Sequence, residues 1–165
     1  MELKWLTRQM LLAIHDEAVV VFGGLPGVRD MALLDSAMDR PKNLLAYGDN
    51  SSLFDLAAAW CFGIVQNHPF LDGNKRTGLL SAHALLLLNG QVFEPAEVDE
   101  VTMMVGVAEG TVDEAMLASW LARFSTRSLG ARRAATSLPY GHGPPHGWGV
   151  AGVGGPALSV ARPGS

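Results

Sequence analysis

Residues 53–66, LFDLAAAWCFGIVQ, are apolar nearly all the way round a helix. A helix without a polar face cannot lie on a surface and has to be enclosed by other elements. This stretch therefore predicts a central buried helix, opened by Ser51 or Ser52 as N-cap. It commits the rest of the chain to wrapping it. The next most apolar run, LLSAHALLLL (79–88), is too short to span a bilayer and reads as a second buried helix.

The enclosing elements are legible from punctuation. A first helix is predicted over 7–22, closed by Gly23-Gly24. Asp30 caps a short second helix that ends at Arg40, because Pro41 should stop it. Residues 41–50, PKNLLAYGDN, then read as a loop or small hairpin. A fourth helix runs from about 73 to 88, closed by Asn89-Gly90. Pro95 suits the first position of a fifth helix over about 95–108. Thr111 and Glu114 have capping-box spacing for a sixth, whose Leu117, Trp120, Leu121 and Phe124 share one face. No strand pattern of any length appears. The expected class is all-α: about six helices with one short flap loop or hairpin.

With 48% apolar residues in 165, the composition suffices for one cored domain. Charge divides that domain from the C-terminal segment. Residues 1–126 hold 8 Lys+Arg against 16 Asp+Glu, whereas 127–165 hold 4 Arg and no acid. An acidic body argues against direct nucleic-acid binding, which relies on neutralising phosphates. The segment from 127 on, rich in Gly and Pro and without period, reads as a disordered tail. His142 and His146 within it lack the further ligands and fixed geometry a metal site needs. The single cysteine, Cys61, precludes an internal disulfide and fits a cytoplasmic location. No signal-peptide pattern or membrane-spanning run is expected.

The chemistry concentrates in HPFLDGNKRTG, residues 68–78. Lys75 and Arg76 fall in the first turn of a helix, where the macrodipole disfavours cations. Local rules are broken in this way where function overrides stability. The same turn offers free backbone N–H groups, and Gly73 has no Cβ to keep a phosphate away. The cations therefore suit a polyphosphate ligand. Asp72 is a natural Mg2+ ligand beside phosphate oxygens. Asn74 can contact phosphate or orient a metal-bound water, and His68 is a candidate general base. Phe70 is expected to point inward and pin the loop. Together these residues describe transfer of a phosphate-bearing group from a nucleotide to a hydroxyl.

The motif resembles the signature of Fic-fold proteins, H-P-F-x-[D/E]-G-N-G-R-x-x-R, and its N-K-R-T ending is closer to the death-on-curing (Doc) branch. The likeness extends over about residues 4–126, through IHD (14–16), GGLPGVRD (23–30), RPKN (40–43), LFDLAAA (53–59) and VGVAEGTV (105–112). It implies a compact helical Fic/Doc domain and a toxin of a bacterial type II toxin–antitoxin pair, neutralised by a cognate antitoxin. The activity implied is transfer of the γ-phosphoryl of ATP, with Mg2+, to a threonine of elongation factor Tu, which stops translation. By the same resemblance His68 is the base, Asp72 the Mg2+-associated acid, and Gly73, Asn74, Lys75 and Arg76 the nucleotide contacts. Arg76 counts among the catalytic residues with His68 and Asp72.

Two positions depart from the typical Fic form: Lys75 replaces Gly, and Leu79 replaces a second Arg. Both favour a kinase over the AMP transfer of typical Fic proteins, which is the alternative chemistry on the same scaffold. A catalytically silent protein-binding module is the alternative from another class, opposed by the intact motif.

Other residues read more simply. Cys61 is expected to be structural, His83 a satisfied core histidine, and His15 and Asp16 solvated or capping. Lys42, Asn43 and Tyr47 are placed by the resemblance in a flap over the target segment.

Overall fold

The computed structural model describes residues 2–129. Its elements are α1 (Arg8–Phe22), α2 (Met31–Tyr47), α3 (Leu53–Asn67), α4 (Asn74–Leu88), β1 (Gln91–Phe93), α5 (Glu97–Glu109), α6 (Glu114–Arg123) and β2 (Ser125–Arg127). The class is all-α, with one small antiparallel β1–β2 pair among the described residues. None of these helices is long and apolar enough to cross a membrane.

α3 is the central element that its sequence demands. Leu56 to Cys61 and Gly63 to Val65 are all buried, and α2, α4 and α6 pack around it. Its start is fixed locally. The Ser52 hydroxyl accepts from the Asp55 N–H, and the Asp55 carboxylate accepts from the Ser52 N–H, a reciprocal cap. Trp60 is fully enclosed and donates its indole N–H to Ser81 Oγ on α4 at 3.0 Å. Cys61 is buried as expected, and burial pushes its thiol up to about 12.

Three expectations fail, each for a tertiary reason. Pro41 does not end α2, which continues to Tyr47; residues 41–47 are helical rather than a loop or hairpin. Pro41 cannot donate to the Ala37 carbonyl. That carbonyl faces Gly63 of α3, where a Cβ would lie only 3.2 Å away. Close packing of α2 on α3, with Pro41 itself buried, offsets the lost bond. Pro95 does not open α5. Glu94 N–H still bonds to the Phe124 carbonyl, extending the β1–β2 pairing, and the extended Ala96 is the N-cap. Asp113, not Thr111, caps α6 by accepting from Met116 N–H; Glu114 is instead committed to Arg40 of α2.

The described chain continues to Leu129, with Ser128 N–H bonded to the Gly90 carbonyl. The tail expectation, including His142 and His146, lies from residue 130 on outside the described residues.

Candidate active site

The motif forms the turn between α3 and α4. His68 ends α3 in the left-handed region, with φ 52° and ψ 53°. That conformation is unusual for a residue with a Cβ. It is held from outside: Arg29 donates from Nε to the His68 carbonyl at 2.8 Å and from Nη2 to the Asn67 carbonyl at 3.1 Å. The residue itself is exposed, so an incoming group can reach its imidazole. Immediately after it the chain dives inward. Phe70 is fully buried, as expected.

Segment 24–30 lies against this turn. Arg29 and Asp30 N–H groups both bond to the Pro69 carbonyl, Leu71 N–H bonds to the Gly27 carbonyl, and Val28 bridges Phe70. Lys42, Asn43 and Tyr47, expected in a flap loop, stand instead on the exposed face of the second half of the helix α2. Sequence reasoning missed Arg29 altogether; its only signal was its place in GGLPGVRD, since its bonds reach partners 39 and 38 residues away.

Asp72 faces the same segment. Its Oδ1 accepts from the Gly73 N–H at 2.7 Å, and its Oδ2 accepts from the Leu25 N–H at 3.3 Å. Gly24 is required there. Its φ of 113° disfavours other residues, and a Cβ would stand 2.6 Å from Asp72 Oδ2. Each carboxylate oxygen keeps a lone pair beyond these bonds.

Gly73, with φ 72°, is the N-cap of α4 and supplies no side-chain cap. The first intrahelical bond of the turn is Thr77 N–H to the Gly73 carbonyl. The N–H groups of Asn74, Lys75 and Arg76 precede it and form an uncapped positive helix end. Lys75 is exposed beside them, and Arg76 is buried, its guanidinium carbon 5.3 Å over the Phe22 ring. Arg76 Nη1 is sealed from solvent with no hydrogen-bond partner among the described residues. Desolvation weakens its charged form, an effect that neighbouring Asp72 opposes.

Asn74 departs from its expected role. Its side chain is buried, Oδ1 accepting from the Phe70 N–H at 2.9 Å and Nδ2 donating to the Phe70 carbonyl at 3.0 Å. Each end of the amide is engaged in closing the loop. Leu79 is buried in the core and presents no group to the site.

His15 is the residue sequence reasoning misread. It is 1% exposed, neither solvated nor capping. Its ring stacks on Phe70, with centroids 3.8 Å apart and planes 13° from parallel. Nδ1 lies 3.0 Å from Thr77 Oγ1. A signal existed: Leu11, Ile14, His15 and Ala18 share the buried face of α1. His83 is buried as expected, but its Nδ1 has no partner among the described residues, so the expected satisfied histidine is not seen there.

Comparison with known proteins points to one family. A model of the Fic/DOC family matches residues 5–86. The chain is 34% identical over 122 residues to the protein named "Protein kinase doc" of Escherichia phage P1, covering 73% of this chain and 95% of that protein. It is 38% identical over 110 residues to "Toxin Doc" of Mycolicibacterium smegmatis, covering 64% of this chain and 84% of that protein.

Proposed function

The chain belongs to the Fic/Doc family, and on that premise we propose that it is a toxin that transfers the γ-phosphoryl group of ATP to a hydroxyl of a target protein. The observation that carries this reading is the α4 terminus: uncapped N–H groups, Gly73, Lys75 and the unpartnered Arg76 Nη1 meet at one turn. Such a set favours a polyanion. His68 stands exposed at the mouth of the same turn.

In the proposed step the target hydroxyl oxygen attacks the γ-phosphorus. The new O–P bond forms, the bond from phosphorus to the β,γ-bridging oxygen breaks, and ADP leaves. The hydroxyl proton passes to the imidazole of His68. Arg76, Lys75 and the α4 N–H groups offset the charge on the transferring group, work that is mostly positioning and electrostatics.

Asp72 would hold Mg2+, whose charge would steady the phosphates. A carboxylate with spare lone pairs beside a phosphate site fits an ion that takes only one or two protein carboxylates. Among the described residues no three His, Cys, Asp or Glu side chains gather for a metal, so phosphate and water would complete its shell.

The name of the phage relative, a protein kinase, supports phosphoryl over adenylyl transfer. So does Leu79, which gives an outer phosphate no cation. A cognate antitoxin and elongation factor Tu are the partners the family suggests. The test is to incubate the pure protein with ATP, Mg2+ and purified elongation factor Tu, with and without a bacterial lysate. Label on that factor supports the reading; label on another protein corrects the target; no label on any protein refutes the transferase.

A further inference from the structure

One imidazole from α1 touches three parts of the motif at once. His15 stacks on Phe70, bonds to Thr77, and lies against Gly73, where a Cβ would sit 3.8 Å from His15 Cε1 and 3.9 Å from Arg76 Nη2. The Thr77 hydroxyl is fully buried and makes no other hydrogen bond among the described residues. A buried O–H needs an acceptor, and Nδ1 is the one this bond offers; the tautomer that satisfies the hydroxyl carries the ring proton on Nε2. His15 Nε2 is buried without a partner among the described residues, and so is Arg76 Nη1. Two enclosed donors without acceptors, on two side chains that both approach Gly73, are rare in folded interiors. Both border a helix end whose N–H groups are uncapped. Asp72 is near both side chains, but its carboxylate accepts from the Gly73 and Leu25 N–H groups and bonds to neither donor; an anion from outside the chain is the acceptor that suits them.

We propose that His15 is a binding and positioning residue of the phosphate site. With Arg76 it forms the inner wall behind Gly73, and its Nε2–H donates to an oxygen of the bound polyphosphate. Through Phe70 and Thr77 it also fixes the turn that presents Gly73 and the α4 N–H groups. The inference rests on the reading that this turn binds the phosphates of a nucleotide, and it adds a residue from outside the motif.

The test uses ATP and inorganic tripolyphosphate as separate probes of the full chain. His15→Phe keeps the ring stacked on Phe70 and removes both nitrogens. It should melt within a few degrees of wild type yet bind tripolyphosphate about tenfold or more weakly. His15→Gln, which keeps an N–H donor, should recover part of the loss. In 15N-labelled wild type, the ring Nε2 resonance of His15 should move as tripolyphosphate is added, while that of His83 stays; this measurement decides if His15→Phe fails to fold. A folded His15→Phe that binds both probes like wild type, or a His15 resonance unmoved at saturation, overturns the proposal and leaves the nucleotide reading intact. Binding of tripolyphosphate with the His15 shift, but no binding of ATP, supports the proposal and refutes the nucleotide reading. Wild type binding neither probe overturns both.

Discussion

Acid should destabilise this protein through a histidine that takes no part in the site. His83 sits inside α4, buried, edge-on to Phe93 with centroids 5.6 Å apart, and its Nδ1 has no hydrogen-bond partner. Burial lowers its pKa from 6.5 to about 4. The folded state therefore resists a proton that the unfolded state accepts, so stability is fully present above pH 6.5 and falls as pH drops toward 4. The full difference is about 3 kcal/mol at 1.36 kcal/mol per pKa unit. Of this, about 1.3 kcal/mol should go between pH 7.5 and 5.5. The buried His15, also lowered by desolvation, acts with the same sign. Urea unfolding followed by tryptophan fluorescence at pH 7.5, 6.5 and 5.5 measures the loss directly. His83→Leu keeps an apolar side chain and removes the titration. Its own loss over this interval should be smaller than that of wild type by about 1.3 kcal/mol. Wild type and variant losing stability in parallel would refute the reasoning.

Gly24→Ala places a methyl against the Asp72 carboxylate in a disfavoured backbone conformation. It should cut transfer at least about tenfold with only a small change in melting temperature, and unimpaired transfer would show that this contact does not set the position of Asp72. His68→Gly removes the proposed base and relieves a left-handed residue. Transfer should fall about 10²- to 10⁴-fold while melting temperature holds or rises, and growth arrest by expression without antitoxin should vanish; a folded variant that still arrests growth would promote the binding-module reading. Ser81→Ala strands the buried Trp60 N–H and should cost about 1 to 3 kcal/mol. Adding Trp60→Phe should cost less than the sum of the two single changes, and strict additivity in a double-mutant cycle would contradict the pairing.

What the sequence made legible was local. The caps at Asp30 and Ser52 need only neighbours three residues away. The central place of α3 comes from its lack of a polar face, and the uncapped α4 turn from Gly73 with two cations just beyond it. What was hidden depends on distant partners. Pro41 continues a helix because Gly63, on another element, lets α3 close on the Ala37 turn. β1 and β2 are three residues each and pair across two intervening helices, so neither carries a period long enough to read. Asn74 looked free for phosphate because its partner, the Phe70 backbone, leaves no trace in composition. His15 looked ordinary because its stack on Phe70 and its bond to Thr77 cross more than fifty residues.

Which phosphorus is attacked decides the chemistry. By the resemblance, Lys75, exposed here, stands where typical Fic proteins have Gly, and Leu79, buried here, where they have a second Arg. The triphosphate should accordingly bind with its γ-phosphate at the α4 N–H groups and Lys75, nearest His68. Parallel reactions with ATP labelled at γ and ATP labelled at α, with intact mass of the modified target measured afterwards, read this out directly. The expected result is label from γ alone and a mass gain of about 80 Da, one phosphoryl group. Label from α with an adenylate-sized gain would contradict this orientation and make the protein an AMP transferase.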